Sequence, residues 1–130
     1  MGSQENVELV RRGYEAFNAG DMATLREMFA EDAVWHVAGS GVLSGTKQGR
    51  DAVLAYFGEL GERTQGHFQA QVQDIVGGED HTVAIQQTKG EGNGKTLDVG
   101  TVIAFVVRDG KIAEAREYFE DSAKADDFWV

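Results

Sequence analysis

Apolar side chains recur every three or four positions in the first part of the chain, and this spacing predicts helices. Over residues 6–19 the apolar positions form a single stripe, which is typical of a helix with one buried face. Gly20 can end that helix in a left-handed conformation, and Asp21 can cap a second, shorter helix. After a short β-like run over residues 33–37, a third helix is indicated beyond Gly49.

The period changes to two in the second half, where apolar runs alternate with turns that contain glycine. The predicted strands span about residues 67–76, 82–89, 96–107 and 111–119. Asn93-Gly94 and Asp109-Gly110 fall between these runs and suit type I′ hairpin turns, because Asn, Asp and Gly accept positive φ. The sequence therefore predicts three helices and an antiparallel meander, an α+β fold.

The third of these strands is apolar on both faces. Leu97, Val99 and Ile103 point to one side, while Val102 and Ala104 point to the other. A strand of this kind must be covered on both sides. Three helices cover only one side of a sheet, so we expect a second copy of the chain on the outer face, in a homodimer.

Composition narrows the class of protein. The 130 residues are interpreted as one domain, 1–130, and they contain no cysteine and no proline. Twelve Lys and Arg against 22 Asp and Glu give a net charge of −10, which argues against nucleic acid and anionic membrane as partners. No apolar run approaches the roughly 20 residues of a membrane span, and a cytoplasmic location is the default expectation.

Five segments of the chain carry a family resemblance. They are Asn18-Ala19-Gly20-Asp21, Phe29-Ala30-Glu31-Asp32-Ala33-Val34-Trp35, Gly49-Arg50-Asp51-Ala52-Val53, Val107-Arg108-Asp109-Gly110-Lys111-Ile112 and Glu117-Tyr118-Phe119-Glu120-Asp121. With these segments in this order, the chain resembles the nuclear transport factor 2-like superfamily. More narrowly, it resembles the SnoaL-like branch, which contains polyketide cyclases and relatives of ketosteroid isomerase.

The resemblance implies a fold and a place for a ligand. The fold would be a cone-shaped, curved antiparallel sheet wrapped around three helices, a cystatin-like α+β roll. Its open end would form a deep and mostly apolar pocket. Members of this superfamily include isomerases, cyclases, epoxide hydrolases and binding proteins without chemistry, so the fold alone does not assign the function.

The resemblance also allows the steroid isomerase mechanism to be tested by position. That mechanism uses a general-base aspartate and an oxyanion hole made by a tyrosine and a protonated aspartate. Aligned on the segments above, Gly13 stands at the position of the tyrosine, Val37 at that of the general base, and Ile103 or a neighbour at that of the second aspartate. All three depart from the pattern, which argues against that mechanism here.

Glu117 is the first candidate for other acid/base chemistry. It shares a strand face with Ala113, Ala115 and Phe119, where a carboxyl group would be poorly solvated and its pKa should rise. A raised pKa suits a general acid or base near neutral pH. The resemblance adds that relatives of limonene epoxide hydrolase carry a catalytic carboxylate on this strand. The alternative is that Glu117 pairs with a lysine or arginine at the rim.

Tyr14, His36 and Gln87 are candidates for polarising a carbonyl or epoxide oxygen. Tyr14 lies on the apolar stripe of the first helix, and its hydroxyl could donate to a ligand or to a backbone carbonyl. His36 could act as a proton shuttle, or be a hydrogen-bonded structural residue that points outward. Gln87 alternates with Ile85 and is interpreted as an inward polar group.

The remaining candidates would shape the pocket. Its expected lining comprises Trp35, Val37, Tyr56, Phe68, Val72, Ile85, Gln87, Ile103, Phe105 and Phe119. The three histidines, His36, His67 and His81, lack metal-ligand spacing, so no metal is expected. No phosphate-binding loop is recognisable either, and no cofactor is expected.

The sequence thus predicts a protein with a pocket for a small hydrophobic ligand of polyketide or terpenoid kind. As an enzyme it would be a cofactor-independent cyclase, isomerase or epoxide hydrolase, with Glu117 moving the proton. The alternative is a non-catalytic binding module or a dimeric assembly module.

Overall fold

The computed structural model describes residues 2–129. The helices are α1 (Ser3–Ala19), α2 (Met22–Met28), α3 (Arg50–Arg63) and α4 (Ser122–Phe128). The strands are β1 (Phe29–Val37), β2 (Gly45–Gln48), β3 (Gln69–Gly77), β4 (Thr82–Gly92), β5 (Lys95–Arg108) and β6 (Lys111–Phe119). The four strands predicted in the second half are all present, each within three residues of its expected ends.

The strands form one curved, unclosed sheet in the order β2-β1-β6-β5-β4-β3. This confirms the predicted α+β class and the curved sheet. Three details differ from the expectation. β1 pairs with β6 in parallel, β2 forms inside the expected glycine-rich loop, and α4 is a fourth helix. Alternation within a strand shows which side is buried but not which strand lies beside it, so the parallel pair gave no sequence signal.

The ends of α1 and α2 follow the local chemistry of the sequence. Gly20 adopts φ 72°, and its N–H is directed at the carbonyls of Ala16 and Phe17, which closes α1. The Asp21 carboxylate accepts a hydrogen bond from the Thr24 N–H at 3.1 Å and caps α2. The predicted left-handed end and the predicted cap are confirmed.

The two hairpin turns of the meander are also as predicted. Asn93 and Gly94 have φ values of 52° and 75°, and Asp109 and Gly110 have 54° and 75°. Positive φ at both central positions defines the type I′ turn, whose twist matches that of the flanking strands. These turns fix the register of β4 against β5 and of β5 against β6.

The core lies between the inner face of the sheet and the helices. α1 packs on β3 and β4, and α3 packs on β1. α4 lies against β5, where it brings Trp129 to 5.9 Å from Phe68, measured between ring centroids. A bulge in β6 between its pairings with Val106 and Val107 turns Ile112 toward the core as well.

Candidate functional site

A cavity of about 60 Å³ lies between the helices and the inner face of the sheet. Its lining is mostly apolar and aromatic and comprises Val10, Gly13, Tyr14, Phe17, Leu25, Phe29, Trp35, Tyr56, Phe57, Leu60, Phe68, Ala70, Gln86, Ile103, Phe105, Ile112 and Glu117. The few polar side chains in this wall come from α1, α3, β1, β4 and β6. They form two groups.

Glu117 is the centre of the first group. It lies on the inner face of β6, opposite Ile103 of β5, and is buried. Its Oε1 accepts two hydrogen bonds, one from the indole N–H of Trp35 and one from the hydroxyl of Tyr56, each at 2.9 Å. Within residues 2–129 no hydrogen bond reaches Oε2, so this oxygen is available to a molecule in the cavity.

Burial controls the protonation of this group. It raises the pKa of the Glu117 carboxyl, and the hydrogen bonds from Trp35 and Tyr56 and the charge of Lys47 oppose that rise only in part. Burial, and then the charge of Glu117, raise the pKa of the Tyr56 hydroxyl well above its usual value. Tyr56 is therefore a protonated donor, and Glu117 holds its proton to a higher pH than an exposed carboxyl.

Lys47 on β2 is the cation whose charge lowers the pKa of Glu117. Its ammonium lies 5.3 Å from the ring centroid of Tyr56 and donates to the Leu43 carbonyl at 2.8 Å. Partial burial lowers the pKa of Lys47. Among the described residues no Lys or Arg forms an ion pair with Glu117, so the rim ion pair considered from the sequence is not what holds this carboxyl.

The second polar group runs from the cavity into the core. The hydroxyl of Tyr14 donates to Oε1 of Gln86, and Nε2 of Gln86 donates to the hydroxyl of Thr88 at 2.9 Å. The hydroxyls of Thr88 and Thr101 are 2.7 Å apart, and that of Thr101 is 3.5 Å from the Val99 carbonyl oxygen. Burial, with the charge of Glu117, raises the pKa of the Tyr14 hydroxyl above its ordinary value.

The structure brings together many of the residues singled out from the sequence. Those that line the cavity are Tyr14, Trp35, Tyr56, Phe68, Ile103, Phe105 and Glu117. Val37 belongs to the core, and the partly buried Val72 and Phe119 pack against it, but all three lie outside the cavity wall.

Two expected lining residues, Ile85 and Gln87, lie on the outer face of β4, which corrects the sequence interpretation. Ile85 is 39% exposed, and Gln87 donates to the Asp98 carboxylate at 2.7 Å. The inner face of β4 instead carries the alternate set, including Gln86 and Thr88. The pattern of β4 predicts that its apolar positions point inward, whereas small and polar residues face the core there.

Gln86 is the polar residue of the cavity wall that was not predicted from the sequence. One signal was available, since the small or polar residues Thr82, Ala84, Gln86 and Thr88 alternate with a set that begins with the branched apolar residues Val83 and Ile85. Small side chains fit beneath a covering helix, and the outer face of an apolar strand can be covered by another molecule. The usual rule that apolar residues point inward predicts the opposite orientation for β4.

His36 also lies away from the cavity, on the outer face. Its Nδ1 is 3.0 Å from the Thr46 hydroxyl, and its Nε2 is 2.9 Å from Oε2 of Glu114. Both ring nitrogens are thus engaged on the side of the sheet opposite to Glu117. The structure places His36 in the outward position that the sequence analysis considered as its alternative.

Neither a metal site nor a membrane helix is found in the part of the chain that the structure describes. Residues 2–129 contain no group of three His, Asp or Glu side chains placed to hold a metal ion. No helix in this range is both long enough and apolar enough to cross a membrane. The polar groups of the cavity wall are carboxyl, hydroxyl, indole and amide groups.

The chain is similar to a known domain family and to several known proteins. The SnoaL-like domain matches residues 10–115. An uncharacterized protein of Mycobacterium tuberculosis is 31% identical over the full length of both chains. Bal32a, from a soil-derived mobile gene cassette, is 41% identical to this chain in sequence. Its structure superposes with a TM-score of 0.97 over 98% of each chain. IdmH of Streptomyces antibioticus, a candidate polyketide cyclase, is 28% identical with a TM-score of 0.75, covering 91% of this chain and 94% of its own.

Proposed function

The chain belongs to the SnoaL-like family, and from that premise we propose that its cavity binds a small, mostly apolar molecule and that Glu117 exchanges a proton with it without a cofactor. The observation that carries this proposal is the state of the Glu117 carboxyl. It is buried in the cavity wall, with Oε1 engaged by Trp35 and Tyr56 and Oε2 without a partner in the described chain.

This arrangement suits a general acid or base. In its neutral form Glu117 can donate a proton to a carbonyl or epoxide oxygen of the ligand. As a carboxylate it can accept a proton from a carbon next to a carbonyl. Burial raises the pKa of this carboxyl. Near neutral pH its acid form is therefore more populated than that of an exposed glutamate.

Trp35 and Tyr56 would fix the position of the reacting group. Their two donors hold Oε1 in place, so the carboxyl cannot rotate freely. The aromatic rings around it exclude water; the Trp35 centroid lies 5.0 Å from that of Phe57 and 5.8 Å from that of Phe105. A fixed, dry carboxyl is a stronger acid/base catalyst than a mobile, solvated one.

The kind of ligand is inferred from the wall and from a relative. The wall is apolar and aromatic, which favours a flat or hydrophobic molecule. IdmH, at 28% identity, is a candidate polyketide cyclase. A polyketide- or terpenoid-like ligand with an enolisable carbonyl or an epoxide fits both observations.

The second candidate is a non-catalytic binding module, for which the small cavity need only open and need not place a ligand against Glu117. Pockets for drug-sized ligands are about 300–1,000 Å³, and this cavity has about 60 Å³. A ligand of that size would have to displace aromatic side chains from the wall. Binding without chemistry requires only that such a movement occurs, and it makes no use of the Glu117 proton.

The pKa of Glu117 separates the two candidates. It can be measured by carboxyl-carbon NMR, with Glu117→Gln to assign the signal and Glu120→Gln as a control at an exposed site beyond the same strand. A pKa well above the unperturbed ~4.3 supports the acid/base proposal. A pKa near that reference contradicts it and leaves the binding module, for which ligands can then be sought by thermal shift.

A further inference from the structure

The second polar group of the cavity contains a chain of hydrogen bonds whose direction can be worked out. It begins at Tyr14 on α1, passes to Gln86 and Thr88 on β4 and ends at Thr101 on β5. Gln86 and Thr101 are paired directly across the two strands. Tyr14 and Gln86 line the cavity, whereas Thr88 and Thr101 are buried behind them.

The far end of the chain sets its direction. The Thr101 hydroxyl lies 3.5 Å from the carbonyl oxygen of Val99, which can only accept. A hydroxyl has one proton, so Thr101 donates to Val99 and must accept from Thr88. Thr88 in turn has no proton left for Gln86 and accepts from its amide nitrogen.

This direction determines what Tyr14 offers to the cavity. With its Nε2 facing Thr88, Gln86 presents its oxygen to Tyr14, and Tyr14 donates its only proton to that oxygen. What Tyr14 then presents to the cavity is an oxygen lone pair. Among residues 2–129 only Thr88 accepts from the Gln86 amide nitrogen, which leaves its second hydrogen for a ligand.

We propose that Tyr14 and Gln86 select ligands that carry a hydroxyl group, namely an alcohol, phenol or enol, at the end of the molecule that meets α1 and β4. The hydroxyl donates to the Tyr14 oxygen and accepts from the Gln86 amide. This inference rests on the proposed function, since it assumes that the cavity binds a ligand. It differs from the role expected from the sequence, in which Tyr14 polarises a carbonyl or epoxide oxygen.

The same geometry disfavours other groups at this position. A ketone, ether or carboxylate oxygen has no proton to give and would face the lone pair of Tyr14. An unpaired buried acceptor costs free energy on both sides of the contact. The oxygen on which Glu117 acts must then lie at the other polar group, near Oε2 of Glu117.

Three fluorinated aromatic probes test this selection by ¹⁹F NMR titration; because the ketone is the bulkiest of the three, the change of preference in a variant is the decisive comparison. They are 4-fluorophenol, 4-fluoroacetophenone and 4-fluorotoluene, of which the last reports the apolar fit alone. In the wild-type protein 4-fluorophenol is expected to bind roughly tenfold more tightly than 4-fluoroacetophenone, because only the phenol satisfies both polar groups. Equal binding of the two, or preference for the ketone, would overturn the inference.

Thr101→Val provides the sharper test, because Thr101 does not line the cavity. Without the Thr101 hydroxyl, Thr88 can give its proton only to Gln86, whose amide must turn over. Tyr14 then accepts from Gln86 and donates to the cavity, so the preference is expected to shift toward 4-fluoroacetophenone. Thr82→Val, a buried threonine on β4 outside this chain, is the matched control and should keep the wild-type preference.

The outcomes separate this inference from the proposed function. A Thr101→Val protein that keeps the wild-type preference contradicts the inference, even if all three probes bind. If none of the probes binds the wild-type protein, the ligand-binding proposal fails and the inference fails with it. Should Thr101→Val not fold, Thr88→Val provides a test instead: it removes the acceptor that orients the Gln86 amide, so the preference for 4-fluorophenol should be lost, and a retained preference contradicts the inference.

Discussion

At the scale of single residues, the buried carboxyl of Glu117 links stability to pH. Burial raises its folded pKa above the unfolded value of ~4.3. The folded state therefore holds the proton to a higher pH than the unfolded chain does. The stabilisation from this group is fully present below the unfolded pKa and is lost as pH rises through the folded pKa.

Glu117→Gln should remove this pH dependence. Glutamine keeps the shape and an acceptor oxygen for Trp35 and Tyr56 but does not ionise. The free energy of unfolding of the variant minus that of the wild type is expected to increase as pH rises from about 4.3 through the folded pKa. Urea unfolding at a series of pH values measures it. A difference that does not change with pH would show that the carboxyl has no raised pKa.

Tyr56 offers a second test at the residue scale. Its hydroxyl donates to Glu117 and favours the charged carboxylate, so Tyr56→Phe should raise the pKa of Glu117 further. The variant should also lose about 1 kcal/mol of stability with the hydrogen bond. Carboxyl NMR and thermal unfolding measure the two effects. Tyr118→Phe, on the outer face of the same strand as Glu117, is the control and should change neither.

At the scale of elements, the alternation within each strand decided how much of the site could be predicted. In β6 the small neighbours of Glu117 mark the inner face, so its place in the core could be predicted. In β4 and β5 apolar residues occupy both faces or the outer one, and the alternation alone is ambiguous there. Gln86 was missed for that reason. The bulge that turns Ile112 inward leaves no trace in the period either.

The contact between α4 and the glycine-rich loop makes an element-scale prediction. Asp126 of α4 accepts a hydrogen bond from the Ser40 N–H at 3.0 Å. A Cβ at Gly41 would lie 2.9 Å from the Asp126 Oδ1 and 3.0 Å from its Cα. Gly41→Ala should therefore push α4 away from the loop and destabilise the protein by roughly 1–3 kcal/mol.

Gly58→Ala is the matched control for that substitution. Gly58 lies within α3, and a Cβ there would meet nothing within 4 Å. Alanine should stabilise the helix by about 0.5–1 kcal/mol. Thermal unfolding of the two variants measures both changes. A Gly41→Ala protein as stable as the wild type would show that α4 does not rest on this loop.

At the scale of the whole molecule, several residues of the segments that carried the family resemblance connect one element to another. Asn18 clamps the backbone of Ala70 on β3, donating to its carbonyl at 3.0 Å and accepting from its N–H at 3.2 Å. Arg108 lies 3.0 Å from the carboxylate of Asp32, which ties the end of β5 to β1. Residues of this kind determine the fold, so the sequence could predict the fold more fully than the chemistry of the cavity.

The outer face of the sheet remains apolar at its centre. Ile85, Val102 and Tyr118 are paired directly across β4, β5 and β6, and they are 39%, 38% and 50% exposed. An exposed apolar row across the centre of a sheet favours contact with another molecule. A second copy can place the same row against itself about a twofold axis.

We therefore expect a homodimer that Val102→Glu disrupts. Size-exclusion chromatography with light scattering should give about twice the 14.1 kDa chain mass for the wild type and the single-chain mass for the variant. Two buried carboxylates facing each other across the axis would repel and lose their hydration. Val42→Glu is the control, because Val42 is 57% exposed but lies in the loop before β2, away from this face. A monomeric wild type would contradict the expected homodimer, and a dimeric Val102→Glu protein would place the interface elsewhere.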